Sequence, residues 1–318
     1  FSRVQAMHLF YHTQQSSPAT WVVLSMSELI PIDKALLRRS FERAADTYDA
    51  AAVLQKEVCR RLAEKLEYIN FTPQRILDVG AGTGFASYTL QKIFPKAEII
   101  ALDIAMPMLQ IARQRNGLLS RLRKKMRYVN ADTELLPFRD NSFDLVFSNL
   151  TLQWVNNLEQ VLTGFRRILR NDGMLLFSTF GPDTLKELRA SWQSVDQYSH
   201  VNDFLDMHDI GDAMVRAHLA EPVMDTEYLT LTYQDVFVLM KDLKDIGAHN
   251  ITGKRQRGLM GKNHFKQFQQ AYEQFRVDGV LPATYEVVYG HAWSVDENDQ
   301  PTQPGSAVIS LSDIKKGV

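Results

Sequence analysis

The stretch RILDVGAGTGFASYTL, from Arg75 to Leu90, places three glycines at alternate positions directly after a short apolar run. Glycine loses more chain entropy on folding than any other residue, so a repeated glycine needs a structural reason. The pattern predicts a short buried strand and then a helix, with Gly80, Gly82 and Gly84 in the turn between them. Ligands of open α/β sheets bind at such turns, where the backbone approaches closely and a helix N-terminus offers free N–H groups. The turn is therefore a candidate site for a nucleotide-like ligand.

After Pro73 the sequence alternates short apolar runs with amphipathic segments. Strands that alternate with helices through short loops indicate a parallel sheet with helices on both faces. The apolar runs are typical of strands that are covered on both sides. Beyond Phe180 the alternation loosens, so we predict an α/β fold with helical insertions. The predicted strands are RILDVG, AEIIALDI, MRYVNAD, SFDLVFSNL, GMLLFSTF (entered through the turn at Asn171 to Gly173), PVMDTEYLTLTY and ATYEVVYGHAW.

Composition narrows the class of protein. The chain has 318 residues and a formal net charge of −1, which argues against a general nucleic-acid binder because such proteins carry a basic domain. The single cysteine, Cys59, forms no intrachain disulfide and is predicted to lie in a helix core, as suits a reducing compartment. Apolar runs stay below the roughly 18–20 residues that span a membrane, and the start lacks a secretory signal. We expect a cytoplasmic protein with no membrane or nucleic-acid partner and, since its histidines are scattered, no metal site.

The end of the second predicted strand distinguishes two kinds of nucleotide fold. Asp103 stands there, 23 residues after Gly80, where an acidic side chain can bind both hydroxyls of a ribose. Dinucleotide-binding folds carry G-x-G-x-x-G, whereas here the third glycine comes one position early, with the acidic Asp78 inside LDVGAGTG. In this the stretch resembles the first motif of class I S-adenosylmethionine-dependent methyltransferases. That resemblance implies a Rossmann-like parallel sheet with an antiparallel last strand and helical lid insertions.

Two further segments carry the same resemblance. In NADTELLPF, Asp132 matches the acidic residue that accepts from the adenine amine, the alternative being a turn aspartate that caps the next segment. In DNSFDLVFSNLTLQW, Asn149 falls at the end of the fourth strand and Trp154 on the loop over the methyl group, unless Trp154 is core packing. The resemblance implies S-adenosylmethionine as cofactor and S-adenosylhomocysteine as its product. The implied cofactor-binding residues are Asp78, Gly80, Ala81, Gly82, Gly84, Asp103, Ile104, Asp132, Thr133, Asn149 and Leu150.

Segments outside this core narrow the resemblance further. Five of them together are similar to segments of the malonyl-acyl-carrier-protein methyltransferases of biotin synthesis. They are RRSFERAADTYDAAAVLQKEV, FGPDTLKELRASW, HVNDFLDMHDIGDAMVRAHLAEPVMD, MKDLKDIGAHN and LPATYEVVYGHAW. Enzymes of that family methylate the free carboxylate of a malonyl thioester. The methyl ester masks the negative charge of the carboxylate, so that fatty-acid synthase extends the chain toward pimeloyl. The resemblance therefore implies acyl carrier protein bearing malonyl as the partner.

This reaction needs alignment more than it needs a base. A malonyl carboxylate, with a pKa of roughly 3–4, is already anionic at neutral pH. The main task is to place oxygen, methyl and sulfur in line. We predict Tyr48, Asn149 and Trp154 as the catalytic residues, with Tyr48 closing over the cofactor from the N-terminal helical segment. The alternative for Tyr48 is an ordinary aromatic residue of an amphipathic helix.

An anionic acceptor also requires a cation. The candidates are Lys244, Arg255 and Arg257 in the late insertion, and an arginine there offers two parallel hydrogen bonds to a carboxylate. The basic cluster around them, Lys254 to Lys266, either meets the acidic carrier protein or is a solvated face.

Two other functions stay open at this point, as does the oligomeric state. One is that of the related respiratory complex I assembly factor, associated with arginine hydroxylation; the lack of a clear transit peptide weighs against it. The other is a non-catalytic S-adenosylmethionine-binding partner protein.

We predict five regions: a leader whose place in the working protein is open (1–31), an N-terminal helical lid (32–72), a cofactor-binding core (73–180), late strands with acceptor-binding helical insertions (181–293) and a tail (294–318).

Overall fold

The computed structural model describes residues 31–115, 125–248 and 261–295 of the chain, and of residue 262 its backbone alone. Its centre is a seven-stranded sheet in the order β3-β2-β1-β4-β5-β7-β6. The first five strands run parallel to their neighbours, and β7 runs antiparallel to both β5 and β6. The strands are β1 Arg75–Val79, β2 Glu98–Asp103, β3 Met126–Asn130, β4 Phe143–Asn149, β5 Leu169–Phe180, β6 Ala220–Tyr233 and β7 Leu281–Trp293.

Helices cover both faces of this sheet, as the alternating pattern predicts. Successive residues of β1 point to opposite faces, so Ile76 packs in one apolar cluster and Leu77 in the other. The first cluster includes residues of α2, α3, α6, α8 and α9, and the second includes residues of α5 and α7. The helices are α1 Lys34–Ala51, α2 Val53–Glu64, α3 Phe85–Ile93, α4 Met106–Arg115, α5 Leu158–Ile168, α6 Lys186–Gln193, α7 Met207–Arg216, α8 Val236–Asp245 and α9 Lys262–Glu273.

The predicted α/β sheet and its antiparallel last strand are confirmed, with one difference in detail. Strand β5 begins at Leu169 and continues through the predicted turn, because Asp172 N donates to Ser294 O and Ser294 N donates to Gly173 O, each at 2.8 Å. The N-terminal helical segment breaks at Ala52, whose ψ of 47° departs from helical geometry.

The helix α1 lies across the carboxyl ends of the strands. It begins at the N-cap Asp33, whose side chain accepts from Leu36 N at 3.0 Å. Its small residues Ala44 and Ala45 pack with Ala105 and Met108 after β2. In the described ranges, no helix has both the length and the apolar content to cross a bilayer.

Candidate active site

A cavity of about 730 Å³ opens where the parallel strands end, beneath α1. At one end lie the glycine turn after β1 and the acidic residues after β2 and β3. At the other end lie residues from α6, α8 and the loop that joins α6 to α7. Among the predicted residues, the cavity wall includes Tyr48, Gly80, Gly82, Asp103, Ile104, Asp132, Thr133, Asn149, Leu150, Trp154 and Lys244.

The glycine turn is a cradle that side chains would fill. Gly80, Gly82 and Gly84 have φ values of 69°, 54° and 87°, in the left-handed region that favours glycine. A Cβ at Gly80 would lie 2.0 Å from Thr151 Oγ1, so neighbouring protein excludes it. At Gly82 a Cβ would find only Tyr48 Cε1, at 4.0 Å, on the side of the cavity. Open backbone there fits the close approach of a nucleotide-like cofactor.

Asp103 fixes this turn from the end of β2. Its Oδ2 accepts from Gly82 N at 2.8 Å, and its Oδ1 accepts from Ala105 N at 2.7 Å. Burial raises the pKa of Asp103 to about 6, although these backbone N–H groups act to lower it. A carboxylate has about four acceptor positions, so Asp103 keeps acceptor capacity for a ribose hydroxyl.

Asp78 lies below the turn rather than in the cavity wall. One carboxyl oxygen accepts from Ser87 Oγ at 2.5 Å, and Oδ1 is buried with no hydrogen-bond partner in the described ranges. Burial raises the pKa of Asp78 to about 7, and the negative charge of Asp103 adds to the shift. The resemblance to class I methyltransferases implies that Asp78 and the Gly80–Gly84 turn lie beside the methionine part of the cofactor. A cationic amino group there would favour the charged carboxylate.

We expect an Asp78→Asn substitution to change how stability depends on pH. The raised pKa means that the folded protein disfavours the carboxylate, so this residue contributes stability below about pH 4 that is lost as the pH rises through about 7. The unfolding free energy of the ligand-free wild type should therefore fall, relative to the variant, by about 2–4 kcal/mol over that window. Urea denaturation at several pH values measures this. Parallel curves for the two proteins would show that Asp78 titrates normally.

Asp132 meets the first turn of α1. Lys34 Nζ lies 3.3 Å from Asp132 Oδ1 and 2.9 Å from Glu134 Oε1. The same Asp132 oxygen accepts from Glu134 N at 3.0 Å, which is the turn-capping contact of the alternative interpretation. Capping does not exclude the adenine role, because Asp132 also lines the cavity.

The end of β4 forms the floor between the two ends of the cavity. Asn149 Oδ1 accepts from Ser178 Oγ at 3.0 Å, and its Nδ2 donates to Gln55 O at 3.1 Å. Leu150 follows with a φ of 49°, a strained value for a residue with a side chain. Trp154 also lines the cavity and packs edge-to-face with Phe41 of α1, at a ring-centroid distance of 5.6 Å.

Tyr48 and its neighbour Asp49 bring α1 over the glycine turn. Tyr48 lines the cavity, and burial raises the pKa of its phenol well above the usual value, so the hydroxyl stays protonated at neutral pH. Asp49 Oδ1 accepts from Thr83 Oγ1 at 2.7 Å, and Asp49 also pairs with Arg115 of α4. These contacts tie the helix to the turn that it covers.

The far end of the cavity is mostly apolar, with few polar groups. Of the predicted acceptor-binding cations, Lys244 is exposed on α8, lines the cavity, and forms no ion pair within the described part of the chain. Arg255 and Arg257 lie outside the described residues. The walls here are formed by Phe180, Thr184, Leu185, Leu188, Ser199, His200, Val201, Asn202, Phe204, Met240, Leu243, Ile246, Ala248 and Tyr285.

Several wall residues escaped the sequence analysis. Lys34, Gln55 and Thr151 line the cofactor end, and His200 and Asn202 line the far end. The polar residues among the apolar ones in QYSHVNDF were an available signal. Nothing in their spacing, however, tells which of them face a cavity.

Comparison with known proteins shows which family model and which solved structures this fold resembles. A family model described as a methyltransferase domain matches residues 77–177. Among solved structures, the YcgJ protein of Bacillus subtilis has a TM-score of 0.53 at 16% identity, covering 74% of this chain and 98% of its own. The BH2331 protein of Bacillus halodurans also has a TM-score of 0.53 at 16% identity, covering 75% and 99%. At that identity the likeness supports the fold alone.

Two curated relatives are far more similar. A malonyl-[acyl-carrier protein] O-methyltransferase of Gallionella capsiferriformans is 51% identical over 289 residues, which is 90% of this chain and 99% of that protein. The protein of the same name from Nitrosospira multiformis is 53% identical over 274 residues, or 82% and 89%. The similarity thus extends through the insertions and beyond the residues that the domain model matches.

Proposed function

Because the chain belongs to the malonyl-[acyl-carrier protein] O-methyltransferases, we propose that it transfers the methyl group of S-adenosylmethionine to the free carboxylate of malonyl-acyl carrier protein. One observation carries the proposal within the structure: a single cavity joins the glycine turn and acidic residues to an apolar far end. Cofactor and acceptor therefore have room to meet without water between them. The product is a malonyl methyl ester, the form that enters pimeloyl synthesis for biotin.

The residues at the turn suit the cofactor. The spare acceptor capacity of Asp103 would hold its ribose, and Asp132 with Thr133 would hold the adenine. The open backbone at Gly82 would lie beside the methionine part. The family resemblance assigns the methionine amino group to Asp78, whose Oδ1 has no hydrogen-bond partner among the described residues. When bound, S-adenosylmethionine supplies a methyl group on a positively charged sulfur.

The chain's own residues then have an orienting task. The acceptor carboxylate is anionic at neutral pH, so no side chain needs to remove a proton. Tyr48 from above, Asn149 from the floor and Trp154 from the side enclose the space between the two ends. Their role in the proposal is to align the carboxylate and exclude water. The protonated Tyr48 phenol contributes a hydrogen-bond donor rather than a base.

Lys244 is the proposed cation of the acceptor end. Its exposure places it at the rim, where it faces an incoming anionic substrate from α8. Arg255 and Arg257 stay predictions, as does the meeting of the nearby basic cluster with the carrier protein.

A transfer assay tests the proposed function. Labelled S-adenosylmethionine is incubated with malonyl-acyl carrier protein, with acetyl-acyl carrier protein and malonyl-CoA as controls. We expect a base-labile methyl ester on the malonyl carrier and none on the acetyl carrier, because only malonyl has a free carboxylate.

In the same assay Lys244→Gln should raise the KM for malonyl-acyl carrier protein, while Lys241→Gln on the same helix, outside the cavity wall, should not. Cofactor binding without ester on any acceptor would favour a binding protein or the assembly-factor function.

A further inference from the structure

The far end of the cavity contains a buried polar side chain whose oxygen has no hydrogen-bond partner among the described residues. Asn202 lies in the loop between α6 and α7, lines the cavity and is 7% exposed. Its Oδ1 is buried and has no hydrogen-bond partner within residues 31–115, 125–248 and 261–295. An unpaired buried amide costs about 1–3 kcal/mol, so a ligand that pairs with it would gain that energy on binding.

Other groups hold the backbone around Asn202. Arg189 donates from Nη2 to Asn202 O at 3.1 Å and from Nη1 to Pro182 O at 2.9 Å. Ser199 Oγ donates to Val201 O at 2.8 Å. The backbone of Asn202 is thus fixed on the cavity wall, while its side-chain amide takes no part in holding the loop.

The loop also rests on a stack of rings. The His200 ring lies on Trp192 with centroids 3.9 Å apart and planes 10° apart, and Trp192 stacks on Phe268 at 4.0 Å. His200 Nε2 lies 3.0 Å from Asp196 Oδ1. This stack supports the loop, and a loop that is already held in place binds a ligand with less loss of backbone entropy.

The chemistry of the side chain indicates the group that it would bind. A side-chain amide offers an acceptor oxygen beside a donor nitrogen, and the two can exchange places by rotation. A carboxylate would satisfy the donor and leave the oxygen unpaired. A secondary amide satisfies both. The apolar neighbours Leu188, Val201 and Phe204 suit the aliphatic segments on either side of such an amide.

The position of the loop matches one amide of the acceptor. Phe204 packs against Phe180 at the end of β5, with ring centroids 5.6 Å apart. β5 neighbours β4, and β4 neighbours β1, so the loop lies on the β5 side of the strand ends that carry Asn149 and the glycine turn. Neighbouring strands are about 4.8 Å apart, so β4 and β1 are about 5–10 Å from β5. In an extended malonyl thioester of the pantetheine arm, roughly 8–9 Å separates the carboxylate oxygen from the first amide nitrogen after the sulfur.

From this match we propose that the Asn202 side chain binds the arm's first amide, the one nearest the thioester. The inference rests on the proposed function, because it takes the acceptor to be a malonyl group on a pantetheine arm. Asn202 would then set how far the arm enters the cavity and so where the carboxylate stops.

Small thioesters separate this role from a structural one. Malonyl-N-acetylcysteamine contains the first amide, whereas malonyl S-butyl thioester lacks it. We expect the wild type to have a kcat/KM about 10- to 50-fold higher for the first. Asn202→Leu should remove that preference, with little change for the S-butyl substrate. Dissociation constants measured by calorimetry with S-adenosylhomocysteine present should change in the same sense.

Two controls complete the experiment. Tyr198→Leu changes an exposed residue of the same loop that is outside the cavity wall, and it should keep the wild-type preference. Thermal unfolding checks that each variant is folded. An equal loss on both thioesters, or an unchanged preference in Asn202→Leu, would overturn the proposal. Failure of the proposed function looks different, since the wild type would then esterify neither thioester nor malonyl-acyl carrier protein.

Discussion

Replacing Asp103 by asparagine is expected to weaken S-adenosylmethionine binding by about 100-fold or more. The substitution keeps the size of the side chain but removes its charge and one oxygen. One oxygen accepts from a backbone N–H of the turn, and in the proposal it would also accept from a ribose hydroxyl. Since Oδ2 accepts from Gly82 N and Oδ1 from Ala105 N, the amide nitrogen must face one of these donors. Calorimetric titration with S-adenosylhomocysteine measures the affinity.

A matched control exists at the opposite end of the sheet. Asp144 Oδ2 accepts from both Gln74 N and Arg75 N at 2.8 Å, so it also ties backbone N–H groups to a strand. Asp144→Asn should lower the stability but leave the affinity for the cofactor within about twofold. If Asp103→Asn binds as tightly as Asp144→Asn does, Asp103 does not hold the ribose.

Substituting alanine for Gly80 is expected to cost about 2–4 kcal/mol of unfolding free energy and to abolish measurable cofactor binding. The new Cβ would lie 2.0 Å from Thr151 Oγ1, in a backbone whose φ of 69° already disfavours it. Relief requires the turn or the residues after β4 to move, and both form the cavity. Urea denaturation and calorimetry measure the two effects.

A Gly279→Ala variant is the control that distinguishes the cost of backbone strain from the cost of the steric clash. Its φ is 80°, yet a Cβ there would meet no atom of the described residues within 4 Å. Gly279→Ala should therefore cost only about 1 kcal/mol. In the double variant Gly80→Ala/Thr151→Ala, two of the clashing atoms are gone, and about half of the lost stability should return. Equal costs for Gly80→Ala and Gly279→Ala would show that the clash is absorbed without consequence.

The cofactor end of the cavity was predictable because its residues follow strands. Gly80, Asp103, Asp132 and Asn149 each stand where an apolar run ends, and parallel strands bring their carboxyl ends to one edge. Spacing along the chain thus translates directly into proximity. Tyr48, which lines the cavity, was predicted from the family resemblance of its N-terminal segment, since it follows no strand.

The far end could not be derived in this way. Asn202 and His200 lie in a loop whose course depends on the Trp192 stack and on Arg189, and these are contacts between side chains. Local propensity says nothing about such contacts. The sequence likewise gave no reason to connect Lys34 with Asp132, which are 98 positions apart. The extra length of β5 escaped prediction because its pairing with Ser294 is also long-range.

A single cavity joins the cofactor end of the site to the far end, and this arrangement has a kinetic consequence. The only cysteine, Cys59, is buried in α2 and absent from the cavity wall, and burial raises the pKa of its thiol. A covalent methyl-enzyme relay through a thiolate is therefore closed off. In the proposed reaction the methyl group would then pass in a single displacement within a ternary complex. We expect double-reciprocal plots that intersect and one inversion of configuration at a chiral methyl group.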